Sequence, residues 1–83
     1  MEFKNYFTIV DKNYLPVKID NRDGKVYEVS LSNAIHYSNK ETAKGGIKII
    51  LERMEKGEYY LNNLLELPLQ VVKLKHTVQM VLI

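Results

Sequence analysis

The chain has 83 residues, no cysteine, a formal net charge of +2, and ten lysines against two arginines, Arg22 and Arg53. That length makes one domain, residues 1–83, with a thin core, unsupported by disulfides or thiolate metal sites, on which the strained site of an enzyme is hard to carry. The lack of cysteine fits a reducing, cytoplasmic setting, the charge balance argues against a DNA mimic, and the shortage of arginine argues against specific nucleic-acid reading.

Met1 to Val10 carries Glu2, Lys4 and Asn5, unlike a secretory leader, and no apolar run approaches the ~20 residues that cross a bilayer. No membrane partner is expected. From Phe3 to Val10 the residues alternate, with Phe3, Phe7 and Ile9 on one face and Tyr6, Thr8 and Val10 on the other, which predicts a strand. Asp11-Lys12-Asn13 has turn chemistry. Tyr14 to Asp20 alternates again with Leu15, Val17 and Ile19 on one face, and Pro16, lacking a donor N–H, predicts an edge position. Asn21-Arg22-Asp23-Gly24 is a tight turn. Lys25 to Leu31 returns as a third strand burying Tyr27, Val29 and Leu31, so the first 31 residues read as a β-meander.

Residues 32–37 extend that strand or form a short helical turn. Ser38 followed by Glu41 has the spacing of a capping box, and the main helix is predicted over residues 39–56 with Gly57 as its C-terminal cap. At about 100° per residue, Ala43, Gly46, Ile47, Ile50, Leu51 and Met54 share one face. Gly45-Gly46 costs roughly 1 kcal/mol per glycine relative to alanine, and at Gly46 the missing side chain lets the helix approach a strand closely. Glu58 to Glu66 form a short helix or an irregular connection, ended by Leu67-Pro68. Residues 70–83 alternate as a strand, with a helix as the second reading. Fourteen extended residues span roughly 46 Å, so the tail bends near His76 or projects to meet another chain. Self-association through Val78, Met80, Val81, Leu82 and Ile83 is the expected solution.

His36 and His76 are the only imidazoles and, without cysteine, make no expected metal site. Ser30, Ser32 and Ser38 sit in no nucleophile elbow, and Lys44-Gly45-Gly46-Ile47-Lys48 lacks the spacing of a phosphate loop. No catalytic residue, cofactor or metal is predicted. Lys40, Lys44 and Lys48 make a basic edge along the helix, read as a solvated face or a contact for an acidic protein surface or nucleic acid. Tyr6, Tyr14, Tyr59 and Tyr60 are the available stacking aromatics, and Tyr59-Tyr60 resembles an interface pair of which one member packs in the core. Ile49 lies well round the helix from the packed face, and with Arg53 and Thr42 it makes a candidate patch.

The Tyr6-Phe7-Thr8-Ile9-Val10 strand, the Ala34-x-x-Tyr37-Ser38-x-x-x-Thr42-Ala43 junction and the Val71-Val72-Lys73-Leu74-Lys75 strand resemble, in style, small early-gene accessory proteins of phages infecting low-GC Gram-positive bacteria. That resemblance implies a protein that binds and blocks or redirects a host protein, such as a defence nuclease, and assigns no functional residue. The expected architecture is α+β: a curved antiparallel sheet of about four strands on one main helix (β-β-β-α-β). The expected function is non-enzymatic protein binding, with inhibition of a host defence system or host process as its specific form. A small-molecule or nucleotide-sequestering oligomer and a nucleic-acid-binding module are the alternatives.

Overall fold

A computed structural model describes residues 6–75 and 79–81. The fold is α+β, with one helix packed on strands divided between two small, mostly antiparallel sheets. The elements are β1 (Tyr6–Val10), β2 (Val17–Asp20), β3 (Lys25–Glu28), a 3₁₀ turn at Leu31–Asn33, α1 (Lys40–Glu55), β4 (Tyr60–Leu61), β5 (Gln70–Lys75) and β6 (Gln79–Val81). One sheet has the order β1-β5-β6 and the other β2-β3-β4.

The opening residues do not form a meander. β1 leaves its sequence neighbour and pairs antiparallel with β5, Thr8 opposite Val72, touching the second segment only through a bridge between Val10 and Pro16. This gives β1 two covered faces. Ile9 joins Val17, Val26, Ile50, Leu65 and Leu69 in one apolar cluster, while Val10 joins Val72 and Leu74 in another. β2 is an edge strand, as Pro16 predicts, but it starts only at Val17. Tyr14 has a φ of 66° and turns the chain away from strand geometry, leaving Leu15 exposed. In β3 the buried residue is Val26, paired with Ile19, and Tyr27, Val29 and Leu31 are only half-buried. The strand faces the core with the opposite set of side chains from the one its larger residues suggest.

The turn Asn21–Gly24 and the C-terminal stop of α1 are as predicted, with Gly24 at φ 79° and Gly57 at φ 77°. The N-terminal cap falls one residue later than the Ser38 box. Asn39 is the cap, its Oδ1 accepting from the Thr42 N–H and the Thr42 hydroxyl, both at 2.8 Å. Tyr37 explains the shift: it exchanges two backbone hydrogen bonds with Phe7, of 2.8 and 2.7 Å, and holds the chain extended along β1 until just before the helix. Ala43 and Ile50 are buried on α1, Gly46, Ile47 and Met54 are half-buried, and Leu51, expected on the same face, is exposed.

Gly46 serves the close approach expected of it. A Cβ there would lie 2.9 Å from the Tyr37 hydroxyl and 3.1 Å from Ile9 Cδ1, whereas one at Gly45 would meet nothing within 4 Å. The two substitutions therefore have opposite signs. Gly45→Ala is expected to stabilise the protein by about 0.5–1 kcal/mol through helix propensity. Gly46→Ala is expected to destabilise it by about 1 kcal/mol, because the packed neighbours must give way. Thermal melts of the two variants check both.

The segment after α1 is not helical but enters the second sheet, β4 running parallel to β3 with Val26 opposite Leu61. The tail is not one straight strand. β5 and β6 form an antiparallel pair with Leu74 opposite Met80, which removes the length argument for projecting the tail onto another chain. Among the residues named for that contact, Met80 lies in β6 and Val81 is exposed, while Val78, Leu82 and Ile83 lie outside the described residues.

Candidate functional site

An open apolar cleft lies along α1. Thr42, Gly45, Gly46 and Ile49 form one wall of a cleft of about 460 Å³, Ile50 its base, and Ile19 of β2 and the Tyr37 ring the other side. Two aspects of the sequence create it. The tandem glycines strip side chains from one helical turn, and Tyr37, held beside β1, places its ring against Gly46. Burial pushes the Tyr37 hydroxyl above the ordinary tyrosine range, since the phenolate would be poorly solvated there. Among the described lining residues the polar side chains are Tyr37 and Thr42, so the cleft offers hydroxyls and apolar surface and no cation for a phosphate.

Ile49 is where the helical phase predicts, 53% exposed beside Ile50 at 2%. Arg53, one turn further, has its guanidinium carbon 5.4 Å from the Tyr59 ring centroid and one nitrogen 3.4 Å from Glu58. Tyr59 also packs against the core cluster while Tyr60 is exposed, so one tyrosine of the pair is anchored and the other is free to contact solvent. The Tyr60 hydroxyl lies 3.4 Å from Asp23, and partial desolvation followed by that carboxylate raises its pKa. The structure thus brings Thr42, Ile49, Arg53 and Tyr59 onto one side of α1.

It does not add the lysines to them. Lys40, Lys44 and Lys48 are exposed, but at about 100° per residue Lys40 and Lys44 lie on the far side of the helix from Thr42. Tyr6 sits in β1 with its ring 5.5 Å from that of His36, and Tyr14 projects from the loop before β2. The stacking candidates are therefore spread over three separate segments, Tyr6, Tyr14 and the Tyr59-Tyr60 pair. His36 Nε2 is buried with no hydrogen-bond partner among the described residues, and His76 lies outside them. Among the described residues no three His, Asp or Glu side chains group as metal ligands do, and no helix is long and apolar enough to cross a membrane.

Sequence reasoning missed Ile19 and Tyr37 as cleft walls, and it read Asp11 as a turn residue without foreseeing its burial. The tandem glycine was the one available signal for the cleft. Comparison with protein-family models, curated proteins and solved structures returns no match.

Proposed function

We propose that this chain is a non-enzymatic protein-binding domain whose docking surface is the exposed ridge of α1 beside the cleft. The observation that carries this reading is Ile49: a large apolar side chain more than half exposed, one turn after the bare Gly45 and beside the cleft. Exposed apolar surface rimmed by polar groups is what protein partners cover. Nucleotide sequestration is less well served, because the described residues that line the cleft include no cationic side chain. The resemblance to phage accessory proteins gives the proposal its biological form, inhibition of a host defence system or host process.

Ile49→Glu is expected to change stability by less than about 0.5 kcal/mol, as for an ordinary surface position. Ile50→Glu should unfold the domain by forcing an unpaired charge into the core. With wild type and Ile49→Glu as baits in lysate of the source cells, the proposal expects a protein retained by the first and lost from the second. Equal loss of stability in both variants overturns it by making Ile49 a core residue. Retention of nucleic acid instead, abolished by replacing Lys40, Lys44 and Lys48 with alanine, overturns it in favour of the basic edge.

A further inference from the structure

Glu41, Gly45, Ile49 and Arg53 are spaced four apart on α1, so they form one continuous ridge of the helix. All four are exposed. Read along the chain, the ridge runs acid, hole, knob, base. The hole is Gly45, where a Cβ would point into open space, with nothing outside the helix's own local backbone within 4 Å. The knob is Ile49, 53% exposed one turn later. The base, Arg53, lies over the Tyr59 ring and makes a half-exposed contact of 3.4 Å to Glu58, and its five N–H donors leave capacity for a second carboxylate.

Reversed, the same ridge runs base, knob, hole, acid, which is its own complement. We infer that the occupant of this face is a second copy of the chain, docked with its α1 antiparallel about a two-fold axis midway between Gly45 and Ile49. Each Ile49 then seats on the Gly45 backbone of the other copy, and each Glu41 meets the other copy's Arg53. The inference rests on the reading of α1 as the docking surface and makes a second copy the occupant of that ridge in the free protein, which a host protein binding the same ridge has to displace. A parallel arrangement is disfavoured because it sets Ile49 against Ile49 and like charge against like charge. From Glu41 to Arg53 the ridge is about 18 Å long at 1.5 Å per residue. So small an interface makes a weak, concentration-dependent dimer.

Sedimentation equilibrium of the purified full chain over the micromolar to millimolar range tests this. The wild-type weight-average mass should rise towards twice that of one chain. Gly45→Leu, which fills the hole, and Glu41→Arg and Arg53→Glu, which set like charges against each other, should each weaken self-association by at least about tenfold. An equimolar mixture of Glu41→Arg with Arg53→Glu should restore it, because one chain then carries two bases on its ridge and the other two acids. Misfolding of either variant cannot produce that rescue. Monomer throughout the range overturns the inference, as does a dimer indifferent to all three substitutions, which would move the contact to another surface such as β6. The underlying reading fails separately, when Ile49→Glu proves as destabilising as Ile50→Glu.

Discussion

Gly24→Ala is expected to destabilise the protein by more than about 3 kcal/mol, whereas Gly57→Ala, at nearly the same φ, should cost only about 1 kcal/mol. Both residues have positive φ, 79° and 77°, and both substitutions incur the left-handed penalty of an L-residue, about 1–2 kcal/mol. The difference is in what surrounds them. A Cβ at Gly57 meets nothing within 4 Å, but at Gly24 it would run into the backbone carbonyl of Glu58 and stand 3.2 Å from the Tyr59 ring. Backbone cannot swing aside as the tip of a side chain can. Gly24 also donates to the Asp20 carbonyl at 2.8 Å and accepts from the Tyr60 N–H at 3.0 Å, so relief of the clash pulls the hairpin turn away from β4. At roughly 4–8 °C per kcal/mol for a domain of this size, the melting temperature should fall by more than about 12 °C. Hydrogen exchange should speed up first at the Tyr60 and Asn62 amides, which bond to the Gly24 and Val26 carbonyls.

Local signals in the chain read correctly for most of α1 and its flanking turns, with Leu51 and the Ser38 box as the exceptions. The helix phase buried Ala43 and Ile50 and exposed Ile49, Gly24 made the turn, and Gly57 stopped the helix. Pairing was not legible. Alternation tells which residues share a face but not which strand lies alongside, and β1 finds its partner some sixty residues away in β5. Because β1 packs on both faces, its two sets of side chains carry no contrast. In β3 the aromatic and branched residues at 27, 29 and 31 outweighed Val26 in the pattern, yet Val26 faces Ile19 and the helix and is the one removed from water. A helix cap is decided within one residue by what precedes it, here by the bonds of Tyr37 to Phe7.

The candidate site divides the same way. Ile49, Arg53 and the bare Gly45 follow from helix phase and glycine content, so the ridge was visible in the chain. Ile19 and Tyr37 complete the cleft only because the second sheet and the β1 edge come together across α1. That juxtaposition belongs to tertiary structure. The lysine row shows the converse, since Lys40, Lys44 and Lys48 look like a binding feature in sequence and are an exposed edge turned largely away from the cleft.

Asp11→Ala is expected to cost about 3–5 kcal/mol, and Asp11→Asn less. An acidic residue in an Asp-Lys-Asn turn ordinarily faces water, but the Asp11 side chain is fully buried. Its carboxylate collects three backbone donors. Oδ1 accepts from the N–H of Asn13 at 2.8 Å and of Leu15 at 2.9 Å, and Oδ2 accepts from the N–H of Glu66 at 2.9 Å. The first two lie on either side of Tyr14, so the carboxylate clamps the left-handed turn at that residue. The third ties it to a loop 55 positions away, where the Lys12 N–H donates to the Glu66 carbonyl and the Asn13 side chain to the Glu66 carboxylate. Alanine strands three donors with no acceptor, at about 1–3 kcal/mol each where water cannot reach. Asparagine keeps an oxygen for Asn13 and Leu15 and turns an amide N–H₂ towards the Glu66 N–H, so a single donor is lost. Denaturant titration should rank the stabilities wild type, then Asp11→Asn, then Asp11→Ala, with the alanine variant losing a large part of the 4–12 kcal/mol or so expected of a domain this size. Equal stability of all three would mean that the 11–15 and 62–69 loops hold together without the carboxylate.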